Sequence, residues 1–141
     1  RVGLHDLCPT LLELADSEPI DVPDSRSFAG LLREPATVAD EWTRGYAEYF
    51  GNRHRLTQRV VWDGPWKFVF NGFDFDELYQ LDEDPYEMKN LAPDPAYDEQ
   101  LKKMMRLYWR YARDTGDRPL VDTLYPALRL GAVGPLAADE D

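Results

Sequence analysis

The strongest helical period in the chain runs over residues 95–113, where Tyr97, Leu101, Met104, Tyr108 and Tyr111 recur at spacings of four and three. Asp94 is placed to cap this helix, Pro95 takes its first position and Gly116 marks its end. Asp98 and Glu99 near the start, and Arg110 and Arg113 near the end, suit the helix dipole at about 0.3–1 kcal/mol each. Upstream the pattern shifts to short runs rich in Trp, Tyr, Phe and Val, at residues 42–50, 56–62, 66–71 and 77–81, with turn residues between them. In the third run Trp66, Phe68 and Phe70 share one face, and Lys67, Val69 and Asn71 the other. Asp63-Gly64-Pro65 reads as a tight hairpin connection. These elements predict an α+β fold: a small antiparallel sheet of about four strands packed on one long C-terminal helix.

Ahead of the sheet, residues 6–15 predict a helix with Asp6 as N-cap, Pro9 in the first turn, and a stripe of Leu7, Leu11, Leu14 and Ala15. One helix cannot bury that stripe alone, so it needs a partner surface. Residues 16–40 carry Pro19, Pro23, Gly30 and Pro35 among acids and serines and read as a long surface connection, pinned by Phe28, Leu31 and Leu32. Residues 117–141 hold Pro119, Pro126, Gly131, Gly134 and Pro135 before an acidic end, and are expected to wrap the surface and fray. The chain thus divides into residues 1–40, 41–116 and a tail, 117–141.

A length of 141 residues, with 43% hydrophobic and 13% aromatic content, suffices for a folded core. The net charge of −11 disfavours nucleic acid and an anionic membrane as partners, and no basic run offsets it. No apolar run approaches the roughly 20 residues of a membrane span. The single cysteine, Cys8, rules out an internal disulfide; it leaves export neither supported nor excluded, with a cytoplasmic setting slightly favoured over a periplasmic one.

Residues 77–92, E-L-Y-Q-L-D-E-D-P-Y-E-M-K-N-L-A, read as a strand, an acidic turn closed by Asp84-Pro85, and a short helical turn ending near Asn90. The stretch resembles the E-L-Y-D-L-x-x-D-P-x-E-x-x-N-L-A signature near the C-terminus of type I sulfatases of the alkaline phosphatase superfamily. Residues 6–15, D-L-C-P-T-L-L-E-L-A, are similar to that family's D-L-x-P-T-L-L-x-L-A-G helix, with Asp16 where Gly is usual. Residues 59–71 are similar to its R-x-V-R-x-x-x-x-K-Y-V-x-N hairpin, with Trp62 and Phe68 departing from the pattern. The resemblance implies a C-terminal sulfatase region. Residues 1–40 would then be the end of a large α/β domain and 41–116 the C-terminal subdomain. The family's activity is hydrolysis of a sulfate ester by a formylglycine, with calcium clamping the sulfate. Its C-x-P-x-R motif does not occur in residues 1–141, so formylglycine and calcium are expected in a catalytic domain outside this chain, which alone should be inactive. The implied partners are that catalytic domain, a sulfated small molecule or sugar, and, for the isolated chain, a second copy through the N-terminal helix. The alternatives are a phosphonate or phosphate monoester hydrolase of the same superfamily, and a non-catalytic assembly module.

Candidate chemistry within the chain is sparse. Cys8 is followed by Pro9, Thr10, Leu11 and Leu12, which fits neither the family motif nor a phosphatase-type C-x5-R, and reads as a buried thiol. Asp82, Glu83 and Asp84 lack the Gly of a calcium loop, Glu87 standing in that place, and read as turn chemistry in which Asp84 accepts backbone N–H groups. The exception is the loop Phe50-Gly51-Asn52-Arg53-His54-Arg55 between the first two strands. It offers cationic donors on an acidic chain, and in a sulfatase arrangement it would lie near the mouth of the pocket. His54 and Arg55 are the candidate substrate-binding residues, weighed against an idle solvated loop; no catalytic or metal-binding residue is assigned.

Overall fold

A computed structural model of the chain describes residues 1–51, 58–71, 74–117 and 131–139. The chain divides into two compact units, Arg1–Gly45 and Tyr46–Asp141.

In the first unit a 3-10 turn, Leu4–Asp6, leads into α1 (Leu7–Leu14). Two short helices, α2 (Ala29–Arg33) and α3 (Pro35–Val38), and a 3-10 turn, Ala39–Trp42, follow. The expected long connection is therefore partly helical, and Trp42 precedes the first strand instead of joining it. What α1 buries is its polar side. Thr10 is buried; its hydroxyl donates to the Asp6 carbonyl at 2.6 Å and accepts from the Phe28 N–H at 3.0 Å. Asp6 makes no N-cap bond to the helix. Its buried carboxylate instead accepts from the N–H groups of Gly3 (2.7 Å) and Arg26 (3.0 Å), tying the connection to the helix start. The Arg26 guanidinium lies 3.8 Å over the Trp42 ring, and Phe28 meets that ring edge-on. Ala29 is fully buried while Leu32 is exposed, so Leu32 does not pin the connection. With the polar side turned inward, Leu4, Leu7, Leu11 and Leu14 face solvent. Cys8 is exposed too, contrary to the expectation of a buried thiol.

Helix α1 ends in a Schellman motif: the Ser17 N–H bonds the Leu12 carbonyl at 2.9 Å and the Asp16 N–H that of Glu13 at 3.2 Å. Asp16 takes φ = 53°, the left-handed conformation that glycine adopts without penalty.

The second unit contains β1 (Arg44–Tyr49, its first two residues in the preceding unit), β2 (Gln58–Asp63), β3 (Trp66–Asn71) and β4 (Glu77–Gln80), in spatial order β1-β2-β3-β4. β2 with β3 and β3 with β4 are antiparallel, with Val61 opposite Phe68 and Phe68 opposite Leu78. Gly64-Pro65 forms the two-residue hairpin loop, Gly64 at φ = 56°. After a 3-10 turn, Pro95–Tyr97, whose Ala96 N–H bonds the Asp94 carboxylate, α4 (Asp98–Asp114) crosses one face of the sheet.

The core lies between sheet and helix. Val61, Phe68 and Leu78 pack with Met104, Met105, Leu107, Tyr108 and Ala112, each fully buried large side chain being worth about 1.5–3 kcal/mol. Phe70 stacks on Tyr108 at 4.7 Å, so the Tyr108-Trp109-Arg110-Tyr111 run serves packing first. Residues 131–139 return to α4 instead of fraying. Val133 donates its N–H to Met105 Sδ and accepts from Trp109 Nε1, and Arg113 pairs with Asp139 at 2.7 Å.

The free edge of β4 is covered by the segment that follows it. Asn90 Oδ1 accepts from the N–H groups of Leu78 (3.0 Å) and Ala92 (2.9 Å), and its Nδ2 donates to the Asp76 carbonyl at 3.0 Å. The Leu91 N–H bonds the Leu78 carbonyl at 2.8 Å. The preceding turn is not helical. It is held by the Asp84 carboxylate, which accepts from the N–H groups of Met88 and Lys89 and is thereby held below the usual aspartate range.

Two stability effects follow. Asn90→Ala strips three bonds to backbone groups, one of them on the β4 edge, and should destabilise by about 2–3 kcal/mol in denaturant unfolding. A loss below 0.5 kcal/mol, on the order of a neutral surface change, would show that water replaces Asn90 freely. Asp16→Gly should stabilise by about 0.5–1 kcal/mol through relief of the left-handed backbone; an unchanged midpoint would mean that Asp16 bears no strain.

Candidate functional site

His54 and Arg55 lie outside the described residues, so the site is built from its flanks. The chain leaves β1 at Tyr49 and enters β2 at Gln58; Gly51 takes φ = 76° on the way out. Tyr49 and Phe50 are about half exposed, at 50% and 53%. Gln58 stands opposite Asn71 and donates to its side-chain carbonyl at 2.5 Å, and Asn71 donates onward to the Phe75 carbonyl and the Glu77 carboxylate. The rim at this end of the sheet therefore carries exposed aromatic side chains, Tyr49, Phe50 and Phe75, on a polar frame.

Beneath the rim is a fully buried ion pair. Arg59 Nε donates to Asp117 Oδ2 at 2.6 Å and its Nη2 to Oδ1 at 3.0 Å, with neither side chain exposed. Its Nη1 donates to the Gln58 carbonyl at 2.9 Å and the Tyr49 carbonyl at 3.3 Å. The guanidinium also lies 4.5 Å from the Phe50 ring centroid. Tyr46 donates to Asp117 Oδ2 at 3.2 Å and stacks on Tyr111. Burial pulls the Arg59 pKa down, but the paired carboxylate more than offsets it, and the value stands raised. Asp117 reaches this position because α4 ends in a second Schellman motif, with Gly116 at φ = 67° and the Asp117 N–H on the Ala112 carbonyl at 2.8 Å. Sequence reading missed both partners. The available signals were a charged Arg59 at the same parity as buried Val61, and an acid directly after the helix-ending glycine.

On the opposite sheet face Lys67 pairs with Glu87 at 2.5 Å, and Tyr79 donates to Glu77 at 2.7 Å. Burial, then the hydrogen bond to Glu77, push the Tyr79 hydroxyl up to about 12. Glu87 holds its ion pair from a left-handed conformation, φ = 57°.

Among the described residues no three His, Cys, Asp or Glu side chains converge as a metal ion would require. Cys8 has no arginine at the family spacing. The described residues therefore do not form a calcium site, and the sequence holds no formylglycine motif. Among the described residues, no helix is long and apolar enough to cross a membrane.

The fold is that of a sulfatase-type C-terminal domain. Residues 2–113 match the family described as N-sulphoglucosamine sulphohydrolase, C-terminal, and the chain belongs to it. It is 34% identical over 105 residues to an uncharacterized protein of Haemophilus influenzae, covering 74% of this chain and 53% of that one. It is 32% identical over 99 residues to the uncharacterized sulfatase YidJ of Escherichia coli K12, covering 70% of this chain and 20% of that protein. A solved 2-O GAG sulfatase superposes with a TM-score of 0.67 at 25% identity, over 95% of this chain and 28% of its own. The chain thus spans about half of one curated relative and a fifth of the other.

Burial, with Asp117 nearby, raises the hydroxyl pKa of Tyr46 and of Tyr108, whose buried oxygen has no hydrogen-bond partner among the described residues. With Tyr79 these phenols stay protonated in the folded chain where unfolded tyrosines ionise. The native state then holds more protons than the unfolded one. Their contribution is fully present below pH about 10 and is lost as pH rises through the folded values. Alkaline titration of tyrosine absorbance should show these residues ionising late and together with unfolding. Eight phenols titrating independently near pH 10, with structure retained, would contradict this.

Proposed function

We propose that this chain is the C-terminal portion of a sulfate-ester hydrolase acting on a sulfated saccharide, and that residues 50–57 line the mouth of its substrate pocket. The observation that carries the reading is the family match over residues 2–113. The family's description points to a sulfated amino sugar, and the 2-O GAG sulfatase extends the same substrate class. Formylglycine, whose motif the sequence lacks, and calcium, for which the described residues form no site, would belong to a catalytic domain of the full-length gene product. That domain would polarise the sulfate and supply the nucleophile. The exposed leucines of α1 offer it a docking face, each worth about 1.5–3 kcal/mol if fully buried.

The role of this chain is recognition. On a chain with net charge −11, an anionic saccharide needs local donors, and His54 and Arg55 are adjacent in the sequence shortly after Tyr49 and Phe50. Exposed aromatic rings beside charged donors suit a sugar, which presents an apolar ring face together with hydroxyl and sulfate oxygens.

The test compares two substrates in the full-length gene product. His54→Ala and Arg55→Ala should each weaken recognition of a sulfated glucosamine by about 1.5–3 kcal/mol, mainly in KM. Hydrolysis of a small aryl sulfate should continue almost normally. Equal losses on both substrates, or on neither, would remove the loop from the mouth. Residues 1–141 alone should hydrolyse neither substrate, with or without calcium; turnover that survives purification would refute the division of labour.

A further inference from the structure

Arg59 sits in a strand whose neighbouring inward position is Val61, yet it is buried as completely as the core itself. An ion pair with Asp117 alone would use only Nε and Nη2. The remaining nitrogen, Nη1, donates to two carbonyls, Tyr49 at the end of β1 and Gln58 at the start of β2. These are the two stems of the 50–57 loop. The first loop residue, Phe50, stacks its ring on the same guanidinium at 4.5 Å. One planar group thus ties together the exit of the loop, its entry and its first side chain, and is itself held by a carboxylate fixed at the end of α4.

We propose that Arg59 is a positioning residue: clamped by Asp117, it closes the neck of the β1–β2 loop and so sets how that loop is presented to substrate. Its consequence for recognition rests on the loop reading given under Proposed function. Only a forked, planar cation can serve Asp117 bidentately while keeping a third nitrogen for the carbonyls; a lysine ammonium is a single point. Charge alone therefore does not reproduce the clamp.

The experiment uses Arg59→Lys in the full-length gene product, with Asp117→Asn as a second, nearly isosteric variant. Hydrogen exchange is followed in peptides covering residues 49–58 and in peptides covering α4. The clamp predicts exchange at 49–58 faster by about tenfold or more in either variant, with α4 protection kept within about twofold. It also predicts a KM for a sulfated glucosamine raised by about fivefold or more, with kcat on a small aryl sulfate retained. An equal rise in both peptides, no rise at 49–58, or failure of both variants to fold would make Arg59 a general stability element and overturn the proposal. Faster exchange at 49–58 with KM unchanged keeps Arg59 as the clamp and instead removes the loop from the substrate mouth.

Discussion

The second unit is organised around the Arg59–Asp117 pair. Removing a guanidinium and a carboxylate from water costs several kcal/mol per ion, and attraction recovers this only when geometry and remaining hydrogen bonds are complete. Here they are close to complete. The fork is bidentate, Nη1 is held by two carbonyls, and Tyr46 supplies a further donor to the carboxylate. Such a pair is favourable only in this geometry, so it ties the end of α4 to β2. A core of leucine and methionine would set only the distance between helix and sheet. The ion pair also fixes how far the helix extends along the strands.

That registration depends on a local backbone device. Gly116 in the left-handed conformation turns the chain through a Schellman motif and brings Asp117 back over the sheet. Helix α1 ends in the same motif, but with Asp16 in the glycine position. The contrast is informative. Where the residue after the turn carries a buried partner, the turn is built from the residue that adopts it without strain. Where it leads into an exposed connection, the chain holds an aspartate at some cost.

The sheet and the long helix were legible because each element follows one period and buries one face. The alternation through Trp66, Phe68 and Phe70 and the stripe through Tyr97 to Tyr111 both lead to the core. The N-terminal helix was harder, because its buried side is polar. Thr10 and Asp6 serve backbone groups of the Arg26–Phe28 segment, so Cys8 and the leucines stay outside, and no hydrophobic count would reveal it. Arg59 and Asp117 are separated by 58 positions, and pairing at that range leaves no local pattern. His54 and Arg55 were legible only as donors in a glycine-started loop, and they lie outside the described residues.

The signature that points most clearly to the family is committed to the fold. Asn90 covers the edge of β4, Asp84 closes the turn before it, Glu87 pairs with Lys67, and Glu77 accepts from Tyr79 and Asn71. Each of these polar side chains is occupied by backbone or by another side chain of the same unit. A match in this stretch therefore fixes architecture and cannot discriminate among substrates. At the rim, by contrast, Tyr49 and Phe50 hold their rings half exposed. The buried arginine lies directly beneath them, its guanidinium against the Phe50 ring. It is held like a core residue, yet two of the groups it holds are backbone carbonyls, of Tyr49 at the end of β1 and Gln58 at the start of β2.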